Sequence, residues 1–197
     1  MNLYTQVTFL KSAAKLEQAP LDSGYEVAFV GRSNSGKSSA LNSLVGRQIA
    51  RTSKTPGRTR LINFFTLLDA QHRLVDLPGY GYAKVSKIMQ QEWQIQLTHY
   101  LSMRKSLCGL IVLMDIRHPL TALDQTLIDW ALTQELPIHI LLTKADKLGR
   151  GAMQNTILQV RKHYELMRDS LSVQAFSALK KQGIETLIGV LNTWLCL

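Results

Sequence analysis

The sequence predicts an α/β fold: a mostly parallel, six-stranded sheet with one antiparallel strand and helices on both faces. Three observations carry this expectation. Short apolar runs alternate with longer segments of helical period, the pattern of repeated strand–helix–strand units. The first apolar run ends in a Gly-bearing turn that opens directly into a helical segment. One pair of runs is separated by only a few polar residues, too few for a crossover, so those two strands are antiparallel. At 197 residues the chain is sized for one domain. A domain of that size buries about 70% of its unfolded surface and needs no disulfide or metal staple.

Taken in order, Met1 to Gly24 holds no distinctive block and reads as an N-terminal extension packed on or flanking a single domain, residues 25–197. Glu26 to Val30 is the first strand, and a helix follows from about Lys37 to Leu44. Leu61 to Leu68 and Arg73 to Val75 form the antiparallel pair, with the turn expected at Asp69 to Gln71. Ser86 to Ser106 is a long amphipathic helix whose Ile88, Trp93, Leu97, Tyr100 and Leu101 share its buried side. Strands at Leu107 to Met114, Pro137 to Leu142 and Ser172 to Phe176 then alternate with helices. These helices fall at Ala122 to Gln134, within Ala152 to Met167, and at Ile184 to Leu195.

Composition narrows the class. Hydrophobic residues make up 46% and charged residues 19%, which excludes wholesale disorder. The longest apolar run, near Leu110 to Met114, is far short of the ~18 residues of a membrane span. Met1 to Leu10 is polar where a secretory leader needs an apolar core. Cys108 and Cys196 show no metal-like spacing and read as small buried apolar side chains in a reducing compartment, so a cytoplasmic protein is expected. The scattered histidines form no ligand cluster.

The net charge of +9 favours a polyanionic partner, nucleic acid or an anionic membrane surface. Its distribution is uneven. Arg47, Arg51, Lys54, Arg58, Arg60, Arg73, Lys84 and Lys87 face only Asp69 and Asp76 within residues 47–87, which therefore carry six of the nine positive charges. A solvated basic loop would look the same in sequence.

The chemistry is carried by four short motifs. Gly31-Arg32-Ser33-Asn34-Ser35-Gly36-Lys37-Ser38 matches the phosphate-loop pattern GxxxxGK[ST] at every fixed position, after a strand and before a helix. Its glycines let backbone N–H groups turn inward on a phosphate chain, and the helix start adds its dipole. Lys37 supplies a point charge for the β- and γ-phosphates, and the Ser38 hydroxyl is a ligand for Mg²⁺. Asp76-Leu77-Pro78-Gly79 follows a strand and fits DxxG, where the Asp holds Mg²⁺ through water and the Gly N–H meets the γ-phosphate. Thr143-Lys144-Ala145-Asp146 fits [NT]KxD. Its Asp can accept from N1–H and the 2-amino group of guanine, donors adenine lacks, which discriminates by roughly 10⁴-fold. The Lys144 stem would pack along the base plane. Phe176-Ser177-Ala178 fits a loop donating backbone N–H to guanine O6. Between the first two motifs a Thr should close on Mg²⁺. Thr52, Thr55 and Thr59 are candidates; Thr59, directly before a strand, is preferred and Thr55 is its main rival.

With these motifs in this order, the chain resembles the EngB (YihA/YsxC) family of translation-factor-related bacterial GTPases. The resemblance rests on GRSNSGKSSALNSL from Gly31, ARTSKTPGRT from Ala50, VDLPGYGYAKV from Val75, VLMDIRHPL from Val112, LLTKADKL from Leu141 and FSALKKQG from Phe176. It implies a single P-loop GTPase domain that hydrolyses GTP to GDP. It also implies GTP/GDP contacts at Gly31 to Ser38, Gly57, Arg58, Thr59, Arg60 and Leu61, Asp76 to Gly79, Thr143 to Asp146 and Phe176 to Ala178. Mg²⁺ would be held by Ser38 and Thr59. The implied role is large ribosomal subunit assembly, through the subunit or its precursor rRNA, with a requirement in cell division and septation. A monomer is expected. A GTP-regulated scaffold at the division site, bound to a division-machinery protein, is the rival function; a P-loop ATPase or kinase conflicts with Thr143 to Asp146.

Tyr80 stands where Ras-like GTPases carry a water-orienting Gln, so intrinsic hydrolysis should be slow. Lys37 and Asn34 are the candidates for stabilising transition-state charge. Asn34 could ligate K⁺ beside the phosphates, or simply satisfy backbone groups in the turn.

Overall fold

The computed structural model describes residues 3–50, 61–81 and 87–197. Its strands are β1 (Thr8–Ala13), β2 (Tyr25–Gly31), β3 (Ile62–Leu67), β4 (Asp69–Asp76), β5 (Leu107–Asp115), β6 (Ile138–Thr143) and β7 (Leu171–Ala175). They form one sheet in the order β1-β3-β4-β2-β5-β6-β7. The helices are α1 (Lys37–Val45), α2 (Lys87–Met103), α3 (Ala122–Thr133), α4 (Arg150–His163) and α5 (Ile184–Leu195).

β2, β4, β5, β6 and β7 are mutually parallel, and β3 runs against its neighbours. The parallel strands are continuous apolar runs because both sheet faces are covered. Val27 and Phe29 of β2 enter the layer beneath α1 and α5, while Ala28 and Val30 enter the layer beneath α2, α3 and α4. On α5, Leu187, Leu191 and Leu195 recur every fourth residue and are fully buried, worth about 2 kcal/mol each. On α2, Leu97, Tyr100 and Leu101 are buried as their spacing requires; the side chains of Ile88 and Trp93 lie outside the described residues.

The expected count of six strands is corrected to seven among the described residues. The additional strand is β1, within the segment read as featureless. It pairs antiparallel with β3, with a register shift at Leu10. Thr8 meets Thr66 hydroxyl to hydroxyl at 2.9 Å, Ser12 donates to Asn63 at 2.7 Å, and Phe9 packs edge-on against Phe65. Most of β1 is solvent-facing, so it carries none of the apolar alternation that marks a half-buried strand. Its irregularity and Lys11 are the usual protections of a sheet edge.

The turn between β3 and β4 also moves. It pivots on Leu68, which has φ +66°, and β4 already begins at Asp69. The Asp69 carboxylate accepts the N–H groups of Gln71 and His72, so the polar trio expected as a turn is instead strand stabilised by its own side chain. The cysteines are corrected as well: Cys108 is half-buried and Cys196 exposed.

At the amino end of β2, Glu26 is fully buried and accepts from four directions. Arg73 Nε lies 2.6 Å away, Arg104 contributes Nη2 at 2.7 Å and Nε at 2.9 Å, and the Tyr100 hydroxyl donates at 2.9 Å. Arg73 also donates to the carbonyls of Ser23 and Ala70. This cluster joins the chain before β2, β4 and the end of α2. It also removes Arg73 from any basic surface.

Candidate nucleotide-binding site

The opposite, carboxyl ends of β2, β4, β5, β6 and β7 gather the sequence motifs at one edge, where open α/β sheets bind ligands. Gly31 to Ser38 leaves β2 and becomes the first turn of α1. Gly31 admits no side chain: a Cβ there would lie 2.6 Å from the Leu113 carbonyl oxygen. Gly36 caps α1 at φ +91°, and Asn34 also takes a left-handed conformation.

The loop is laced on both flanks. Ser33 N–H donates to the Tyr80 carbonyl at 2.8 Å, and Tyr80 N–H returns to Gly31 at 3.2 Å. From the other side, the Thr143 hydroxyl reaches the Ser35 carbonyl and Lys144 Nζ donates to the Asn34 carbonyl at 2.8 Å. Residues more than a hundred positions apart thus fix one loop.

Lys37 forms an ion pair with Asp76, and both are largely buried. The pair fits a magnesium nucleotide: phosphate oxygens would take over the ammonium, and a divalent cation would take over the carboxylate. Magnesium would supply charge neutralisation on the phosphates, with Ser38 at the start of α1 suitably placed as a ligand. Thr59, with Gly57, Arg58 and Arg60, lies outside the described residues, as do Thr52 and Thr55; Leu61 is described and exposed.

The base-reading motifs lie together. Ala145 N–H donates to the Phe176 carbonyl at 3.0 Å and Phe176 N–H to the Leu142 carbonyl at 2.8 Å. Ser177 and Gln182 exchange backbone hydrogen bonds that close the loop through Ala178. The Ser177 hydroxyl donates to Asp146 at 2.5 Å, and that bond is the main influence holding the carboxyl below its ordinary value. Asp146 is therefore an ionised acceptor at neutral pH.

Tyr80 is 4% exposed and its hydroxyl donates to Asp124 of α3 at 2.6 Å. Burial, reinforced by the Asp124 charge, pushes this phenol far above its ordinary value. It is committed to packing α3 and offers no proton chemistry at neutral pH. Sequence reasoning left Asp115 and Arg117 without a role. Asp115 ends β5 beside Thr143 and accepts from both Arg117 and Lys144.

A family profile described as 50S ribosome-binding GTPase matches residues 26–144, more than half of the chain. The chain belongs to this GTPase family. It is therefore a P-loop protein that binds and hydrolyses GTP.

This GTPase is also similar in shape to solved relatives. A probable GTP-binding protein engB superposes with a TM-score of 0.69 at 19% identity, over 87% of this chain and 98% of that one. Aquifex aeolicus Era bound to GDP·AlF4⁻ gives 0.71 at 21% identity, over 88% of this chain and 57% of that one. Era in complex with MgGDPNP and nucleotides 1506–1542 of 16S ribosomal RNA gives 0.67 at 19% identity, over 87% and 57%. The GTPase thus spans somewhat more than half the length of Era. At these identities the likeness is one of fold.

Proposed function

We propose that this GTPase is an EngB-type switch in large ribosomal subunit assembly, engaging the subunit or its precursor rRNA in one nucleotide state and leaving in the other. The observation that supports this reading is that the described motifs at residues 31–38, 76–79, 143–146 and 176–178 lie at the carboxyl ends of neighbouring strands in a 50S ribosome-binding GTPase domain. The Era structure with ribosomal RNA supports an RNA partner for this kind of domain. A role in cell division and septation would follow from failed ribosome supply, and a cytoplasmic monomer is the matching state. Among the described residues no helix is long and apolar enough to cross a membrane.

In this mechanism the backbone of residues 31–38 and Lys37 hold the phosphates. Ser38 and Thr59 would hold Mg²⁺, with Asp76 acting on it through water. Asp146 reads the guanine edge, Lys144 underlies the base, and the 176–178 loop donates to O6. The basic residues within 47–87 other than Arg73 adjoin the γ-phosphate motifs in sequence, so a polyanion bound there would sense which nucleotide is present. Co-sedimentation with ribosomal fractions at two salt concentrations tests this. Binding to large-subunit material should be stronger with a non-hydrolysable GTP analogue than with GDP, and should weaken steeply with salt. Binding indifferent to nucleotide removes the switch; ribosome profiles that stay normal after depletion favour a division-site scaffold.

With the Tyr80 hydroxyl bonded to Asp124, transition-state charge would fall to Lys37, and Asn34 would hold a monovalent cation that adds to it. Steady-state GTP hydrolysis should rise at least several-fold when Na⁺ is exchanged for K⁺, and Asn34→Ala should lose that response. Equal rates in the two salts leave Asn34 as a turn residue only.

A further inference from the structure

We infer that Asp115 is a positioning residue for nucleotide binding, holding Lys144 in the conformation that underlies the base before the nucleotide arrives. The inference rests on reading Thr143 to Asp146 as the base-reading loop.

The backbone places the two residues rigidly. Asp115 is registered opposite Thr143, and Ile116 N–H donates to the Thr143 carbonyl at 3.0 Å, extending the β5–β6 ladder one step past the strand ends. Arg117 then fixes the carboxylate. Its Nε donates to Oδ1 at 2.9 Å, its Nη2 to Oδ2 at 2.6 Å and its backbone N–H to Oδ1 at 3.1 Å. Such a two-pronged guanidinium contact sets orientation as well as charge. These bonds, Arg117 foremost, hold the carboxyl well below the usual carboxylate range, so it stays charged.

Oδ2 also accepts from Lys144 Nζ at 2.9 Å, while the same ammonium donates to the Asn34 carbonyl at 2.8 Å. Lys144 itself adopts φ +58°, a left-handed backbone that persists only where surroundings enforce it. The chain Arg117–Asp115–Lys144–Asn34 therefore bridges the base-reading loop to the phosphate loop. A free lysine loses considerable rotamer entropy when it is fixed. Holding it with two acceptors in advance removes that cost from the binding step. Asp115 would touch no nucleotide atom; it acts through Lys144.

The test is a double-mutant cycle on the full chain, titrated with fluorescent N-methylanthraniloyl-GDP. Asp115→Asn should raise Kd about tenfold, mainly through faster dissociation, with little change in the nucleotide-free melting temperature. Lys144→Met should weaken binding at least as much. The double variant should bind no worse than Lys144→Met alone, because neighbours acting through one another are not additive. Arg117→Ala, which keeps the carboxylate but frees it, should weaken GDP about threefold and have no effect in the Lys144→Met background. Additive losses, or an Asp115→Asn protein with wild-type Kd, overturn the inference. An Asp146→Asn control separates the two failures: if it too leaves GDP binding intact, the base-reading assignment itself is wrong.

Discussion

Asp146→Asn will lose guanine nucleotide binding and gain affinity for xanthine nucleotides. The wild-type carboxylate accepts from the Ser177 hydroxyl, which lowers its pKa further, and lies on the loop joined to Phe176. Two charge-assisted hydrogen bonds from guanine, at roughly 1.5–3 kcal/mol each, are replaced by an amide that presents one acceptor and one donor group. The amide NH₂ then opposes the guanine 2-amino group and instead matches the 2-oxo group of xanthine. Kd for GDP should rise by about 10³-fold, while XDP binding rises toward the wild-type GDP value. Competition between the two diphosphates measures both effects at once. Unchanged preference for GDP would remove Asp146 from base recognition. The folded state should be nearly unaffected, because the backbone bonds of the loop and the side-chain bonds of Thr143 and Lys144 do not involve the Asp146 carboxylate.

The second large effect lies at the other end of the sheet. Glu26→Ala strips the common anion from Arg73, Arg104 and the Tyr100 hydroxyl, all of them buried. Arg73 is left without its counter-charge and Arg104 with only Asp22, 3.6 Å away, at a cost of about 3–5 kcal/mol, a large part of a typical domain's 5–15 kcal/mol. Thermal unfolding should move down by about 10 °C at this chain length, and the urea midpoint should fall without a change in slope. Glu26 and the phosphate loop occupy opposite ends of β2, about 16 Å apart along the strand. GDP affinity of the folded fraction should therefore be unaltered. A destabilisation below about 1 kcal/mol would show that the arginines find other partners.

The parallel sheet and the site were largely legible because both announce themselves locally. Apolar runs such as Leu110 to Met114 have no other stable place than a strand covered on two faces. The Gly31 to Ser38 loop must satisfy the same backbone geometry wherever it occurs. What escaped the sequence depends on partners distant in the chain. β1 is a strand because β3 offers it an edge, and its own side chains face solvent. Asp115 gains a role only through Lys144, which the β5–β6 register brings alongside. Arg73 looks in sequence like one more charge in a basic stretch, yet Glu26 takes it out of solvent. Tyr80 differs in sequence from a water-orienting Gln, but its attachment to Asp124 becomes visible only in the α3 packing.

The pinning of α2 at its carboxyl end has a mechanical consequence. Tyr100 and Arg104 tether that end to Glu26, whereas Lys87 begins the helix shortly after the Asp76-to-Gly79 motif. A 17-residue helix is about 25 Å long at 1.5 Å per residue. Its tethered carboxyl end would be the fulcrum of any tilt. A tilt of only a few degrees, too small to disturb the packing beside Tyr100, sweeps the Lys87 end through more than an ångström. The ion cluster at Glu26 would thereby set the pivot about which the amino end of α2 responds to any movement near Asp76 to Gly79.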